Sequence, residues 1–422
     1  MALLPCPHAD SDAETAPAAS GGPRNKLLQR IVYAVGPGDV AGQYRDLLAG
    51  KEPPFQLGMS FTQQFIDACD AAGGRAHLIS WNWRPDRVQY GKHLMENRPR
   101  RWFLARGIKH QAGLVMYGLG ILALAVRERA TVAIVDSGTT HWFVLSLFAL
   151  FRIPVIPVLY SAIWPRGFPP TKRTQRMILA LDGWFFRHIA AATVCMSPEL
   201  ERQVVQVARK PKGQLFQFRP QYREEFLRRL PAPPPPPFRP FNVLFLGRVI
   251  EAKGVFDILA MAEQLQSEMP GGFVWRIFGF GEDFERLQAE IAARQLGHLV
   301  HAGRMLPSEQ SAMETLSWAH AMIVPTTSEF REGLAMVAAE SVLAGRPVVV
   351  SDVVPAWEVL DGAAIKCDTN SVESFVDALR RLSQGAEYYE AHRRATADVQ
   401  AQFYDREQGV GNAIMRAIAA VR

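Results

Sequence analysis

FNVLFLGRVIEAKGVFDIL, residues 241–259, reads as strand, loop and helix. FNVLFLGR (241–248) is a continuous apolar run, the mark of a strand covered on both faces. VFDILAMAEQLQSEM (255–269) then shows helical spacing. The same unit recurs in both directions. Further strand candidates are RIVYAVG (30–36), RAHLISW (75–81), VAIVDSG (132–138), PVIPVLYSA (154–162) and ATVCMSP (192–198), and downstream FVWRIFGFG (273–281), AMIVPTT (321–327) and RPVVVSDV (346–353). A second helix is expected over EDFERLQAEIAARQLG (282–297), closing on Gly297.

The two groups of strands are divided by PAPPPPPFRP (231–240), a run of prolines that enters neither helix nor sheet interior. Apolar strands alternating with helices on each side predict an α/β protein, two Rossmann-like domains facing across a cleft, with ligands at the carboxyl ends of the strands. The expected divisions are a disordered lead over 1–26, a first domain over 27–230, the linker over 231–240, a second domain over 241–400 and a closing segment over 401–422.

The 422 residues suffice for more than one core, and 48% hydrophobic with 21% charged content is that of a folded chain. Lys+Arg exceed Asp+Glu by 47 to 41, a balance that favours anionic partners. Nucleic acid is not expected, because no recognised binding module accompanies the charge. Cys6, Cys69, Cys195 and Cys367 are too scattered for a metal or redox motif and read as reduced thiols. The N-terminus lacks the charged start and apolar core of a secretion signal. LVMYGLGILALAV (114–126) is too short to span a membrane, and the run 142–164 is interrupted by Arg152, Pro154 and Pro157.

In the loop after 241–248, Arg248 and Lys253 stand beside Gly247 and Gly254, where a phosphate can meet helix-end amides and two cations. Taken alone they read first as solvated loop cations, since basic loop residues are common. EFREGLAMVAAES (329–341) adds two carboxylates, Glu332 in a loop after a strand and Glu340 inside the following helix, with Gly333 and Leu334 at the helix start. Helix amides between two carboxylates suit a ligand with phosphates in the middle and hydroxyl-bearing groups at both ends, the form of a sugar nucleotide.

GRVIEAKG followed by EGLAMVAAES resembles the donor-binding domain of retaining glycosyltransferases of the GT-B architecture, in particular glycosyltransferase family four (glycosyl transferases group one). IFGFGED (277–283), LVHAGRM (299–305) and GRPVVVSDVVPAWEVLDG (345–362) are similar to the intervening segments, so the resemblance covers roughly 241–368. It implies that Arg248 and Lys253 neutralise the donor diphosphate, that Glu332 binds the transferred sugar, that Glu340 holds the ribose hydroxyls and that the amides of Gly333 and Leu334 contact phosphate. It also implies that no metal and no cofactor is needed. Many relatives have phenylalanine and glycine where this chain has Leu334 and Ala335.

The first domain resembles the family more loosely. A glycine facing the donor sugar maps best to Gly58, with Gly36 and Gly38 as competitors; a histidine contacting that sugar maps to His141, with Asp136 or Ser137 in its place as alternatives. The last segment, FYDREQGVGNAIMRAIAAV (403–421), resembles the helix that crosses back onto the first domain. Residues 81–110 cluster arginines with Trp102 and Phe103, as an anionic membrane surface or the phosphates of a lipid-linked acceptor would require.

The expectation is therefore a retaining hexosyltransferase, cytoplasmic or peripheral at the cytoplasmic face of the membrane. It would use a nucleoside diphosphate sugar and a sugar or lipid-linked glycan acceptor, in exopolysaccharide, lipopolysaccharide or glycolipid assembly. The rivals are a sugar-nucleotide epimerase on the same architecture and a non-catalytic carbohydrate- or lipid-surface-binding protein. Alanine at Arg248 or Lys253 is expected to cut turnover far more than stability.

Overall fold

The structure, a computed structural model, describes residues 26–51, 55–100, 107–304 and 307–421. The lead over 1–25, Cys6, Trp102 and Phe103 lie outside the described residues.

The first sheet has eight strands. In chain order they are β1 (Ile31–Pro37), β2 (Ala76–Trp81), β3 (Asp86–Tyr90), β4 (His93–Arg98), β5 (Val132–Asp136), β6 (Val155–Leu159), β7 (Ala192–Cys195) and β8 (Gln214–Gln217). Their spatial order is β3-β4-β2-β1-β5-β6-β7-β8. The second sheet is built from β9 (Phe241–Arg248), β10 (Phe273–Phe280), β11 (Val300–Gly303), β12 (Ala321–Val324), β13 (Val348–Ser351) and β14 (Ala364–Cys367), in the order β11-β10-β9-β12-β13-β14. Only β3 and β4 pair antiparallel among the described strands. Each sheet reverses its order beside its first strand, β1 or β9, which opens a ligand crevice at the carboxyl ends. The α/β double-Rossmann expectation matches this architecture.

The central strands are buried throughout: β5, β6, β7, β12 and β13 have no exposed residue, as Val- and Ile-rich runs sandwiched by helices require. One hydrophobic core passes from the first sheet into the helix Met336–Leu343 and the near face of the second sheet; a second core, around Trp275 and Phe245, lies behind. Linker residue Phe238 is anchored against Phe241, His320 and Tyr389, at 4.6–5.0 Å between ring centroids. The helix Val410–Ala420 packs on Phe61–Ala71 and on β7 and β8, so the chain ends on its first domain. A Cβ on Gly411 would overlap the Gln64 carbonyl, which shows how close that approach is.

Several boundaries differ from the sequence reading. The helix after β10 runs Phe284–Ala293 and stops before Gly297, because Gln295 takes the left-handed conformation (φ 56°) and ends it earlier. The apolar run 114–126 belongs to a longer helix, Ile108–Arg127, of 20 residues. The run from 142 folds as a 3-10 helix, Trp142–Phe151, closed by Arg152 at φ 54° before β6. Residues 86–98 form the β3–β4 hairpin, turned on Gly91 at φ 55°.

Candidate functional site

The loop after β12 carries Glu332 to the interface between the domains. Gly333 lies so close to the first domain that a Cβ would overlap the carbonyl oxygen of Tyr160. The Ala162 amide donates to the Glu332 carbonyl (3.1 Å), the Ser197 hydroxyl to the Gly333 carbonyl (2.7 Å), and the Tyr222 hydroxyl to the Met336 carbonyl (3.0 Å). Beside the loop, Glu358 of the second domain is gripped by Arg166 and Arg202 of the first, each at 2.6 Å. The domains are thus held closed around whatever lies between them.

The helix following Glu332 begins at Met336, two residues later than the sequence reading placed it. The reason is Ala335, which sits in the left-handed region at φ 66° and cannot belong to the first helical turn. Gly333 and Leu334 form the bend before it. Glycine is the residue that adopts a φ such as that of Ala335 without strain. The helix still aims its free N-terminal amides into the cleft.

That cleft is a cavity of about 1050 Å³ walled by both domains. From the second domain come Gly247, Lys253, Glu332, Gly333, Leu334 and Glu340; from the first, Gly36, Gly38, Gly58, Tyr33, Asp136 and Tyr160. The Lys253 ammonium pairs with Glu332 Oε1, which also accepts from the Thr326 hydroxyl at 2.8 Å. Glu332 is 5% exposed, so this is a desolvated ion pair whose members fix each other's position. Glu340, one turn into the helix, has no ion pair or side-chain hydrogen bond to a described residue. Burial pushes its carboxyl up to about 7. A half-buried carboxyl whose oxygens are uncommitted is available to a ligand diol.

Arg248 is not among the residues that line the cavity, although its neighbour Gly247 is. It is exposed, and its guanidinium lies 4.9 Å from the centroid of the Phe330 ring, which also carries the Lys253 ammonium at 4.3 Å. Phe330 thus orients both cations, a role that nothing in the sequence motif points to.

On the first domain, Gly58 touches the donor-side helix: a Cβ there would come within 3.0 Å of Met336 Cε. Gly36 and Gly38 border open space. Ser137 and His141 do not line the cavity. The Ser137 hydroxyl accepts from the Tyr160 amide (3.0 Å), and His141 Nε2 lies 2.6 Å from Gln111 Oε1, with its ring stacked on Phe143. Burial and the neighbouring His110 lower the His141 pKa. Asp136, at the end of β5, does reach the cavity floor, where the Tyr33 and Tyr160 hydroxyls approach within 3.3 Å of each other. Burial pushes the Asp136 carboxyl well above the usual carboxylate range. One of its oxygens has no hydrogen-bond partner. Nothing in the sequence singles out Tyr33 or Tyr160, since each reads as an ordinary core aromatic, the first within β1 and the second just after β6.

Two Rossmann-like domains closed over a cleft, with a helix N-terminus, a cation and two carboxylates on one wall, define the GT-B architecture. Solved structures agree on the fold. Sucrose-phosphate synthase from Thermosynechococcus elongatus superposes with a TM-score of 0.67 at 16% identity, over 92% of this chain and 98% of that one. A trehalose-6-phosphate structure from E. coli bound with UDP-2-fluoro glucose gives 0.69 at 12%, over 92% and 99%. Anabaena Alr3699/HepE in complex with UDP and glucose gives 0.62 at 13%, over 93% and 99%. No curated protein matches the chain in sequence. Residues 230–398, however, match the family described as glycosyl transferases group 1. The second domain is thus similar to that family, and the chain as a whole has the GT-B fold.

Proposed function

We propose that the protein moves a hexosyl unit, with retention of anomeric configuration, from a nucleoside diphosphate sugar to a hydroxyl of a lipid-linked glycan at the cytoplasmic face of a membrane. The observation that carries the donor reading is the wall formed by Lys253, Glu332, the amides before Met336 and Glu340 in one cavity. In this reading the diphosphate lies on the helix N-terminus between Lys253 and Arg248. Glu332 takes the hexose hydroxyls, and Glu340 takes the ribose diol. The cations and amides stabilise the charge that develops on the departing nucleotide, so no metal ion is invoked. The leaving phosphate receives the acceptor proton on the same face that the new bond forms. Closure around the cleft keeps water from the donor.

Asp136, Tyr33 and Tyr160 lie across from the donor wall. A buried carboxyl beside two phenols gives the cavity a polar floor on the side where the acceptor would lie. The epimerase alternative needs a paired acid and base around the sugar, and the ion-paired Glu332 leaves no such couple.

The test is incubation of the purified protein with UDP-, GDP- and ADP-hexoses and a polyprenyl diphosphate sugar, with the product anomer read by NMR. An axial product from an axial donor is expected. An inverted product overturns retention, and turnover with no hexosyl donor overturns the transfer reading.

A further inference from the structure

Outside the cleft, the described surface carries one conspicuous anomaly. Eleven of the fifteen exposed large hydrophobic residues fall between Ile108 and Trp184. All but Phe168 sit on three neighbouring elements: the helix Ile108–Arg127, the 3-10 helix Trp142–Phe151 and the helix Arg173–His188, the middle one touching both others. These elements make crossovers that all run the same way along the first sheet, from β4 towards β7, and right-handed crossovers of one direction lie on one face. Their outer sides therefore form a single surface.

The surface helix Ile108–Arg127 departs from the usual amphipathic pattern. Its inner side, including Tyr117, Ile121 and Leu124, is buried in the core. Gly118 brings it so close to the 3-10 helix that a Cβ would overlap the Thr140 hydroxyl. Its outer side should then be polar, yet between Lys109 and Arg127 there is no charged residue, and Met116 and Leu119 are each 41% exposed. By length and composition this helix could cross a membrane, with a hydropathy of 1.3, but its packed inner side lays it flat on the domain. The next elements continue the apolar face with Leu150 (77% exposed), Phe151, Met177 (61%) and Trp184.

Charge identifies the occupant. Residues 107–190 hold nine Lys+Arg against three Asp+Glu. Two of the acids, Asp136 and Asp182, are buried, and Glu128 is paired with Arg127. The cations Lys109, Arg127, Arg152, Lys172, Arg173 and Arg176 are all exposed, and they stand at the ends of the apolar elements. A second copy of this face would bring like charge against like charge. An acidic leaflet accepts both features, apolar side chains below the headgroups and a cationic rim among the phosphates. At the edge of the face a cavity of about 210 Å³ opens between Arg98, Met116 and Tyr117, and the buried Tyr117 hydroxyl has no hydrogen-bond partner there.

We infer that the outer face of residues 108–188 is a docking surface for an anionic phospholipid bilayer. The protein would lie on the membrane by this face of its first domain, by elements that follow the basic cluster at 81–110. No residue of these three elements lines the cleft, so the inference stands apart from the donor chemistry.

Co-sedimentation of the full chain with vesicles, without sugar or nucleotide, tests it. Vesicles of phosphatidylcholine with 30% phosphatidylglycerol are compared with phosphatidylcholine alone, and each result is paired with a melting curve. Wild type is expected to bind the acidic vesicles at least ~10-fold more tightly than the neutral ones. Leu150→Asp with Trp184→Asp, both at exposed positions, is expected to abolish sedimentation with the melting temperature kept. Arg173→Glu with Arg176→Glu is expected to weaken it by ~10-fold or more. Wild type left in the supernatant overturns the proposal, as do apolar variants that bind like wild type. A dimer in light scattering that the same variants dissociate, with no vesicle binding, assigns the face to a second copy and also overturns it.

Discussion

Replacing Lys253 by methionine isolates the ion pair at the centre of the cleft. The methylene stem is kept and the charge is lost, so Glu332, 5% exposed, is left in a desolvated site with the Thr326 hydroxyl as its remaining partner at 2.8 Å. Removing one member of a buried pair costs about 3–5 kcal/mol. The surviving hydrogen bond and the 14% exposure of the Lys253 side chain place this case near the lower end, about 3 kcal/mol. Adding Glu332→Gln removes the stranded charge, and the double variant is expected within about 1 kcal/mol of wild type. Catalysis should follow a different pattern: in the proposed donor reading both variants lack the cation that would meet the diphosphate, so both are expected to be inactive. Urea unfolding followed by circular dichroism supplies the stabilities, and donor turnover the activities. A Lys253→Met protein as stable as wild type, or a double variant no more stable than the single, refutes the buried-pair account. The sequence-based expectation is that alanine at Arg248 or Lys253 cuts turnover far more than stability. For exposed Arg248 the stability cost is small, since its contact with Phe330 is worth only about 0.5–1 kcal/mol; at buried, ion-paired Lys253 stability is expected to fall as well.

Three further outcomes are expected. Ala335→Gly removes a side chain from a left-handed position (φ 66°) and should stabilise the protein by roughly 1 kcal/mol, read as a raised melting temperature; a lowered one contradicts the strain. Gly333→Ala drives a Cβ into the Tyr160 carbonyl and should misplace Glu332, cutting turnover about 100-fold or more with the fold retained in circular dichroism. Because burial raises the Glu340 carboxyl from 4.5 to about 7, the folded state holds more protons than the unfolded one between those values. The contribution of Glu340 to stability is therefore full below about 4.5 and is lost as pH rises to about 7, whereas its capacity to accept a ribose diol grows over the same range. Glu340→Gln should flatten that stability slope and raise the donor KM at pH 8; an unchanged slope contradicts the burial of this group.

Much of this was legible in the chain. The continuous apolar runs at 132–136, 155–159, 241–248, 321–324 and 348–351 could be strands of a covered parallel sheet and are so. The two glutamates, Lys253 and the helix end between them converge on one cavity. What escaped had physical reasons. The β3–β4 hairpin does alternate, half-buried with exposed residues in β3 and buried with half-buried in β4, but its charges made the region read as a basic surface. The start of the helix after Glu332 was misplaced because no propensity announces a left-handed alanine. The apolar outer face of Ile108–Arg127 was invisible because a buried helix and a surface helix can share one composition. Tyr33, Asp136 and Tyr160 meet only through the order of the strands that carry them.

The central claim, a nucleotide-sugar grip between the two domains, is tested most directly by calorimetric titration of UDP, GDP, ADP and their hexose conjugates into wild type and Glu340→Gln. The account predicts saturable binding of one nucleotide and its sugar, weakened about 10-fold or more in the variant by loss of a charge-assisted diol contact. Binding of none of them, or binding equally strong in both proteins, would contradict it.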